Sequence, residues 1–509
     1  MLNQQLEHTV KLAIRRSPIA LVLRKLFRRT SLTAVIELGQ EQSWKRSARC
    51  ILFGPGKNLL SNPDLHEDLR NHINTDIPAE FLLTEIRRQI LYADTRMLEE
   101  PVMQEFITSM IQQAINNEYV WLVTESERER LATLKQKIVS ADPASPVQWS
   151  IVAQVAMYVR LNELPAPGVD KNTFLQSVTA MPATLEKLLN SYLDDYEEEQ
   201  AIKNSIESAD GAIHNSTSRM IADNYEAYPY PRWIHLEMPS PPVRRNRLAE
   251  FFDEQEIDFV DRPFKVLVAG CGTGNKVIQY AMSYGNLAEI LAIDLSKASI
   301  AYATRMARKL GITNIRFMQM DLLDLYQYEK YFDIVECTGV LHHLKDPLEG
   351  GRALVSSARD GGIVHLSLYS ELARRQIMNF REKYQLAPDA TDDEIRAKRY
   401  RMMQDDPAAI DERLSLRWDF FDLNRCKDLL FHPLEHRFTV PQLGEYLAAL
   451  ELEFRGLERP DYVRNQYWTR YPDASETRNL AAWHSFELRH PDAFGSLYEI
   501  WARKPGCGV

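Results

Sequence analysis

The chain has 509 residues, 45% apolar and 26% charged, with a formal net charge of -10 at pH 7, an ordinary globular composition long enough for two or three domains. The acidic balance argues against nucleic acid as a partner, which would call for a Lys/Arg surplus to neutralise phosphates, and no apolar run reaches the roughly 18 residues that span a bilayer. Five cysteines, at positions 50, 271, 337, 426 and 507, lack paired spacing and suggest neither a disulfide framework nor a metal site; with no signal-peptide core at the start, the expected location is the cytoplasm.

One local exception opens the chain, where Lys11, Arg15, Arg16, Arg24, Lys25, Arg28 and Arg29 follow one another without an acid; this reads as the solvated face of a first helix. Up to about residue 205 the pattern is helical. Residues 78–97 and 102–123 place apolar side chains at three- and four-residue spacing, as a helix with one buried face requires. Turn-rich breaks fall at 141–146 (ADPASP) and 164–170 (LPAPGVD), with a helix expected at 150–161 between them and an acidic helix end at 194–199 (DDYEEE). No repeat of solenoid length is present. Residues 1–205 are therefore assigned to a helical region for substrate or partner recognition, or for assembly into a homo-oligomer.

Residues 206–260 read as a linker holding an aromatic strap at 224–233 (NYEAYPYPRW), whose prolines prevent a continuous helix. From 261 to 509 short apolar strands alternate with amphipathic helices. Strands are expected at 265–269, 288–293, 315–320, 332–337, 362–369, 451–456 and 497–503, and helices at 275–284, 297–310, 346–358 and 441–450. Such alternation predicts an α/β fold with a doubly wound, Rossmann-like parallel sheet of seven strands, preceded by a large all-α region. Two insertions, 370–439 and 457–496, interrupt it. Both follow strands running in the same direction, so both are expected to emerge at the carboxyl edge of the sheet and to line a pocket there together with the strap.

The chemistry is carried by 266–275 (VLVAGCGTGN), a strand running through Gly270, Cys271, Gly272 and Gly274 directly into a helix. Glycines belong there because a ligand lies against bare backbone and because the turn needs unusual φ values. Asp294, with Leu295 beside it, ends the second strand, where a carboxylate accepts from ribose hydroxyls; Asp321 ends the third, with Leu322 as an apolar wall for a base. Glu336 ends the fourth, ahead of 337–344 (CTGVLHHL). All lie at strand carboxyl ends, where open α/β sheets bind ligands. A nicotinamide dehydrogenase would place Gly or Ala at 275, where this chain has Asn275. Cys271 reads as a small packing residue.

The stretches VLVAGCGTG, AIDLS, MDLLDL and FDIVECTGVLHHLKDP resemble motifs of the class I S-adenosylmethionine-dependent methyltransferases. The strap NYEAYPYPRW, together with INNEYV, LYSELAR, DLLFHPLEHRFT and AAWHSFELRHPDAFGSLYEIW, is similar to bacterial members of that group often fused to tetratricopeptide repeats; the repeats are absent from this sequence. The resemblance implies S-adenosylmethionine as cofactor and methyl transfer as reaction. It also marks a departure: Val268 stands where many such enzymes carry an acid for the cofactor's amino group.

The expected catalytic candidates are His342 and His343, whose imidazoles can take a proton near neutral pH, and Glu435 with His436, the carboxylate orienting the ring. Tyr225, Tyr228, Tyr230, Trp233 and Tyr369 are the expected acceptor-pocket residues, able to cage a cationic or planar group, with a packing seam between domains as the equal alternative for Tyr228, Tyr230 and Trp233. The leading expectation is transfer to an oxygen or nitrogen of a peptide or protein, because the helical region exceeds what a metabolite needs. A small-molecule methyltransferase and a non-catalytic cofactor-binding protein are the alternatives.

Overall fold

The computed structural model describes residues 41–54, 56–209, 216–227, 229–234, 236, 243–413 and 418–506. The basic stretch at 11–29 and Tyr228 of the expected pocket lie outside the described residues. Two compact units are present: Met1–Glu197 with Lys383–Phe431, and Glu198–Glu382 with His432–Val509.

The first unit is helical. Its helices include Pro63–Asn71, Ile77–Tyr92, Pro101–Asn116, Glu125–Val139 and Trp149–Ala156, joined by Asp392–Asp405 and Leu423–Phe431 from the later segment. A two-residue parallel pairing of Val147 with Val178 adds a small β element. The helix expected over 102–123 stops at Asn116 because Glu118 and Tyr119 adopt left-handed backbone, φ 52° and 60°. The acidic run at 194–199 is no helix end; it lies inside Ala183–Ser205. Residues 383–431 are tied into this unit by a buried Arg399–Glu80 ion pair, both side chains 1% exposed, and by Leu423 N–H donating to the Asn117 carbonyl at 3.2 Å.

The second unit is built on one sheet. Its strands are β1 (Phe264–Ala269), β2 (Ala288–Asp294), β3 (Ile315–Gln319), β4 (Phe332–Cys337), β5 (Ala358–Ser370), β6 (Arg437–Phe438), β7 (Glu453–Leu457) and β8 (Leu497–Arg503). The order is β3-β2-β1-β4-β5-β8-β7, with the short β6 also pairing with β5. The seven expected strands are all found. The sheet is not wholly parallel, however: β8 runs antiparallel to both β5 and β7. The direction of a strand reached through a long helical connection depends on which sheet edge the connection ends at, which periodicity alone does not reveal.

Helices α1 (Asn275–Tyr284) and α2 (Lys297–Lys309) follow β1 and β2, and α3 (Pro347–Ser357) follows β4. One sheet face packs Val266, Val268, Ile290, Ile334 and Trp501 against Val277, Tyr280 and Phe252. The other packs Leu267, Leu291, Val335, Leu366 and Ile500 against Leu443, Tyr446, Tyr467, Trp483 and Phe486. The 457–496 insertion thus commits its aromatic residues to the core as a covering layer, because Tyr467 is stacked on Trp483 at 3.7 Å between ring centres and is fully buried.

Candidate active site

The turn after β1 is set by three glycines with positive φ: Gly270 (76°), Gly272 (50°) and Gly274 (89°). A Cβ on Gly272 would stand 2.8 Å from the Tyr230 carbonyl oxygen, and one on Gly270 would collide with Val340 at 2.1 Å. The loop is therefore pressed between the strap and the turn after β4. Cys271 is buried, and burial pushes its thiol well above the usual range, so it is a packing group and not a nucleophile.

Gly270 and Cys271 donate their N–H groups to the Ile293 carbonyl, and Gly272 N–H donates to Asp294 Oδ2 at 2.8 Å. Ser296 N–H donates to Asp294 Oδ1 at 2.9 Å. The loop of one strand and the acid of its neighbour form a single cradle. Burial raises the Asp294 pKa above the ordinary carboxylate value, opposed by these N–H groups, while the Glu226 carboxylate nearby adds to the rise. Each Asp294 oxygen retains a lone pair beyond its backbone donor, so a vicinal diol fits the acid well. Leu295 follows in the same turn, and its carbonyl accepts from the Gln319 side chain at 2.9 Å. Asp321 caps the short 3-10 turn that follows β3 by accepting from Leu323 N–H at 3.0 Å, and Leu322 beside it is 6% exposed.

Glu336 occupies a different setting. It is fully buried within β4, accepting from Tyr284 OH at 3.2 Å and lying 2.5 Å from His365 Nδ1, whose ring is stacked on Trp501. It belongs to the sheet interior behind the loop.

The strap is fastened to the cradle. Trp233 donates its indole N–H to the Thr273 carbonyl at 3.0 Å and receives a hydrogen bond from Tyr302 OH at 2.8 Å. Thr273 Oγ1 donates to the Pro231 carbonyl. Trp233 packs among Ile278, Tyr302, Met306 and Ala307, which places it in the seam between α1 and α2 and not with the other pocket candidates. Tyr225 and Tyr230 have ring centres 6.2 Å apart, and Tyr225 lies 6.4 Å from His432.

From there a run of rings reaches β5. His432 lies against His343 at 3.6 Å, His343 meets His342 at 4.4 Å, and His342 stacks on Tyr369 at 3.7 Å. The Arg374 guanidinium covers Tyr369 at 4.0 Å. Burial holds both His342 and His343 well below the ordinary imidazole pKa, with Arg374 and His432 adding to the depression at His342 and His342 and His432 at His343. Both rings are therefore neutral at pH 7. His343 Nδ1 and His432 Nδ1 each lie 2.7 Å from the Leu434 carbonyl. His342 is fully buried; its ring faces the Ser367 backbone, and neither ring nitrogen has a side-chain partner.

The expected pairing of Glu435 with His436 is not found. Glu435 is taken by Arg374, whose Nε donates to it at 3.1 Å, because a buried carboxylate is better matched by a guanidinium fork than by a neutral imidazole. His436 instead donates its backbone N–H to the His342 carbonyl at 2.8 Å. His432 and Arg374 were missed in the sequence. His432 lies in the same HPLEH segment as Glu435, but nothing in the spacing says which histidine turns towards 342–343.

A sequence profile described as a methyltransferase domain matches residues 261–406, spanning the cradle and the turn that carries both histidines. The chain carries a methyltransferase domain. The glycine turn with its linked carboxylate fits the nucleoside of S-adenosylmethionine. This methyltransferase is 30% identical over 290 residues to an uncharacterized protein of Synechococcus sp., a match covering 54% of this chain and 69% of that protein. It is 30% identical over 104 residues to ubiquinone biosynthesis O-methyltransferase from Acinetobacter baumannii, of which it spans 43%. It is 28% identical over 145 residues to malonyl-[acyl-carrier protein] O-methyltransferase from Halalkalibacterium halodurans, of which it spans 51%. PKMT2 from Rickettsia typhi, solved with AdoHcy, is 16% identical with a TM-score of 0.37, over 55% of this chain and 56% of that one. No helix among the described residues is long and apolar enough to cross a membrane.

Proposed function

We propose that the enzyme methylates an oxygen or nitrogen of a peptide or protein, with the acceptor held against the rings of His342, His343, His432, Tyr369 and Tyr225. Gly270, Cys271, Gly272 and Gly274 form the floor under the cofactor, Asp294 and Leu295 take its sugar, and Asp321 and Leu322 take its base. Glu336 backs the loop from inside the sheet. When bound, the cofactor supplies an activated methyl group on sulfur. The chain's part is to align the acceptor, exclude water and take up the acceptor's proton.

The observation that carries this reading is the state of His342. It is fully buried and neutral, stacked on Tyr369, with a backbone contact at Ser367 and no side-chain partner at either ring nitrogen. A buried imidazole in that condition is costly unless a ligand group completes it. A neutral ring offers one acceptor and one donor, which suits a hydroxyl or amide; burial makes it a weak base, so it first holds the acceptor's proton by a hydrogen bond and takes it over only as the methyl group arrives. The size of the helical unit supports a macromolecular acceptor.

A second reading, methylation of a small molecule at oxygen, is favoured by the two relatives named above as O-methyltransferases. Incubation with cofactor labelled at the methyl group and a cell extract separates the two: label in precipitated protein supports the first reading, and label in the extractable fraction replaces it by the second. His342→Asn tests the base. Turnover is expected to fall by a factor on the order of 10² or more while affinity for S-adenosylhomocysteine is kept; unchanged turnover removes His342 from the reaction.

A further inference from the structure

Helix α2 begins immediately after the turn that carries Asp294 and Ser296. Its first turn contains no acid and opens with Lys297, a poor match for the positive end of a helix dipole. The missing anion comes from elsewhere. Glu226, at the end of the Ser216–Ala227 helix, accepts from Ala298 N–H at 3.0 Å and lies 3.2 Å from Ser296 Oγ through the same Oε2. Ser296 Oγ also lies 3.0 Å from the Tyr225 carbonyl and caps α2 by accepting from Ser299 N–H at 3.0 Å. Lys203 pairs with the other Glu226 oxygen at 2.6 Å. Ser296 is fully buried, and its N–H is one of the backbone donors that aim Asp294, with Gly272 and Leu295.

We propose that Glu226 is a positioning residue for the cofactor site: it fixes Ser296 and the first turn of α2, and through Ser296 N–H it sets the direction of the Asp294 carboxylate. This rests on the assignment of Asp294 to the cofactor's sugar. Glu226 lies upstream of the matched methyltransferase span, so the strap completes a site that the regular α/β fold leaves with one wall unpinned. Two carboxylates flanking one serine also repel, and hydroxyl donors arriving at Asp294 relieve that repulsion.

The test is titration calorimetry of the full-length chain with S-adenosylhomocysteine, alongside thermal melts. Glu226→Ala is expected to weaken binding about tenfold or more. Glu226→Gln, whose amide oxygen still accepts from Ala298 N–H and Ser296 Oγ, is expected to stay within about threefold of the unmodified chain. Should Glu226→Ala fail to fold, Ser296→Ala decides, with a severalfold loss expected. A Glu226→Ala or Ser296→Ala protein that melts earlier but binds within twofold of the unmodified chain overturns the proposal, since Glu226 then only stabilises the fold. Asp294→Ala is the control: if it binds normally, the sugar-site assignment itself is wrong, whereas its loss with Glu226→Ala unaffected rejects the positioning role alone.

Discussion

Glu336 stands beside Val268 in direct register on adjacent strands β1 and β4, and its side chain shares Val268's sheet face. The acid missing from β1 thus has a neighbour one strand away, although Tyr284 and His365 hold its carboxylate. Replacing Glu336 by Leu leaves the His365 imidazole buried without its partner and is expected to cost roughly 1–3 kcal/mol. Glu336→Gln preserves most of this. Urea unfolding of the two variants checks the difference.

Gly272 and Gly285 make an internal comparison. Both have positive φ, 50° and 70°, but a Cβ at Gly272 meets the Tyr230 carbonyl oxygen whereas one at Gly285 meets open space. Gly285→Ala is expected to cost only the strain of its glycine-only backbone, φ 70° with ψ -165°, on the order of 1–3 kcal/mol. Gly272→Ala adds displacement of the strap, so it should destabilise further and weaken S-adenosylhomocysteine binding; calorimetry on both variants reads the split.

The Arg374–Glu435 pair is buried at 1% and 2% side-chain exposure, and Arg381 and Arg437 each lie 3.7 Å from the same carboxylate. Loss of Glu435 leaves a buried guanidinium without its anion, an expected cost of about 3–5 kcal/mol for Glu435→Leu. Arg374→Leu should cost less, because two cations remain for the acid. Denaturant midpoints, with the double variant to close the cycle, test the asymmetry.

The pH dependence follows from the direction of the histidine shifts. His342 and His343 are held below the unfolded value of 6.5 by burial. Their contribution is whole above that pH. As pH falls through 6.5 the unfolded chain takes up protons that the folded one refuses, so stability declines by about 1.4 kcal/mol per pH unit for each ring. Unfolding measured between pH 7.5 and 5.0 should show a shallower acid slope in His342→Leu and in His343→Leu than in the unmodified chain.

Much of this was legible before any coordinates. The strands are short apolar runs bounded by glycine turns, and both the glycine loop and Asp294 are fixed by local order, so reading along the chain finds them. The Arg374–Glu435 pair joins residues 61 positions apart, and nothing in either neighbourhood announces the other. His432 and His436 share one short segment, and only the backbone path decides which one turns to His343. Trp233 looked like a pocket residue because aromatic composition does not tell a ligand wall from a packing seam; its bond to the Thr273 carbonyl settles its place. The helix at 423–431 carries an amphipathic pattern that would suit either core, and the strongly polar helix at 392–405 carries almost none. Their membership is decided by contacts such as Arg399 with Glu80, which lie 319 positions apart.

That membership sets a timetable for synthesis. The helical unit draws on residues 383–431, which leave the ribosome only after strands β1 to β5 have been made. Glu80 must therefore wait, unneutralised by Arg399, while most of the catalytic sheet emerges. The amino-terminal helices cannot be finished first in the usual vectorial manner, and a nascent chain arrested before residue 399 should expose an incomplete, chaperone-prone helical surface.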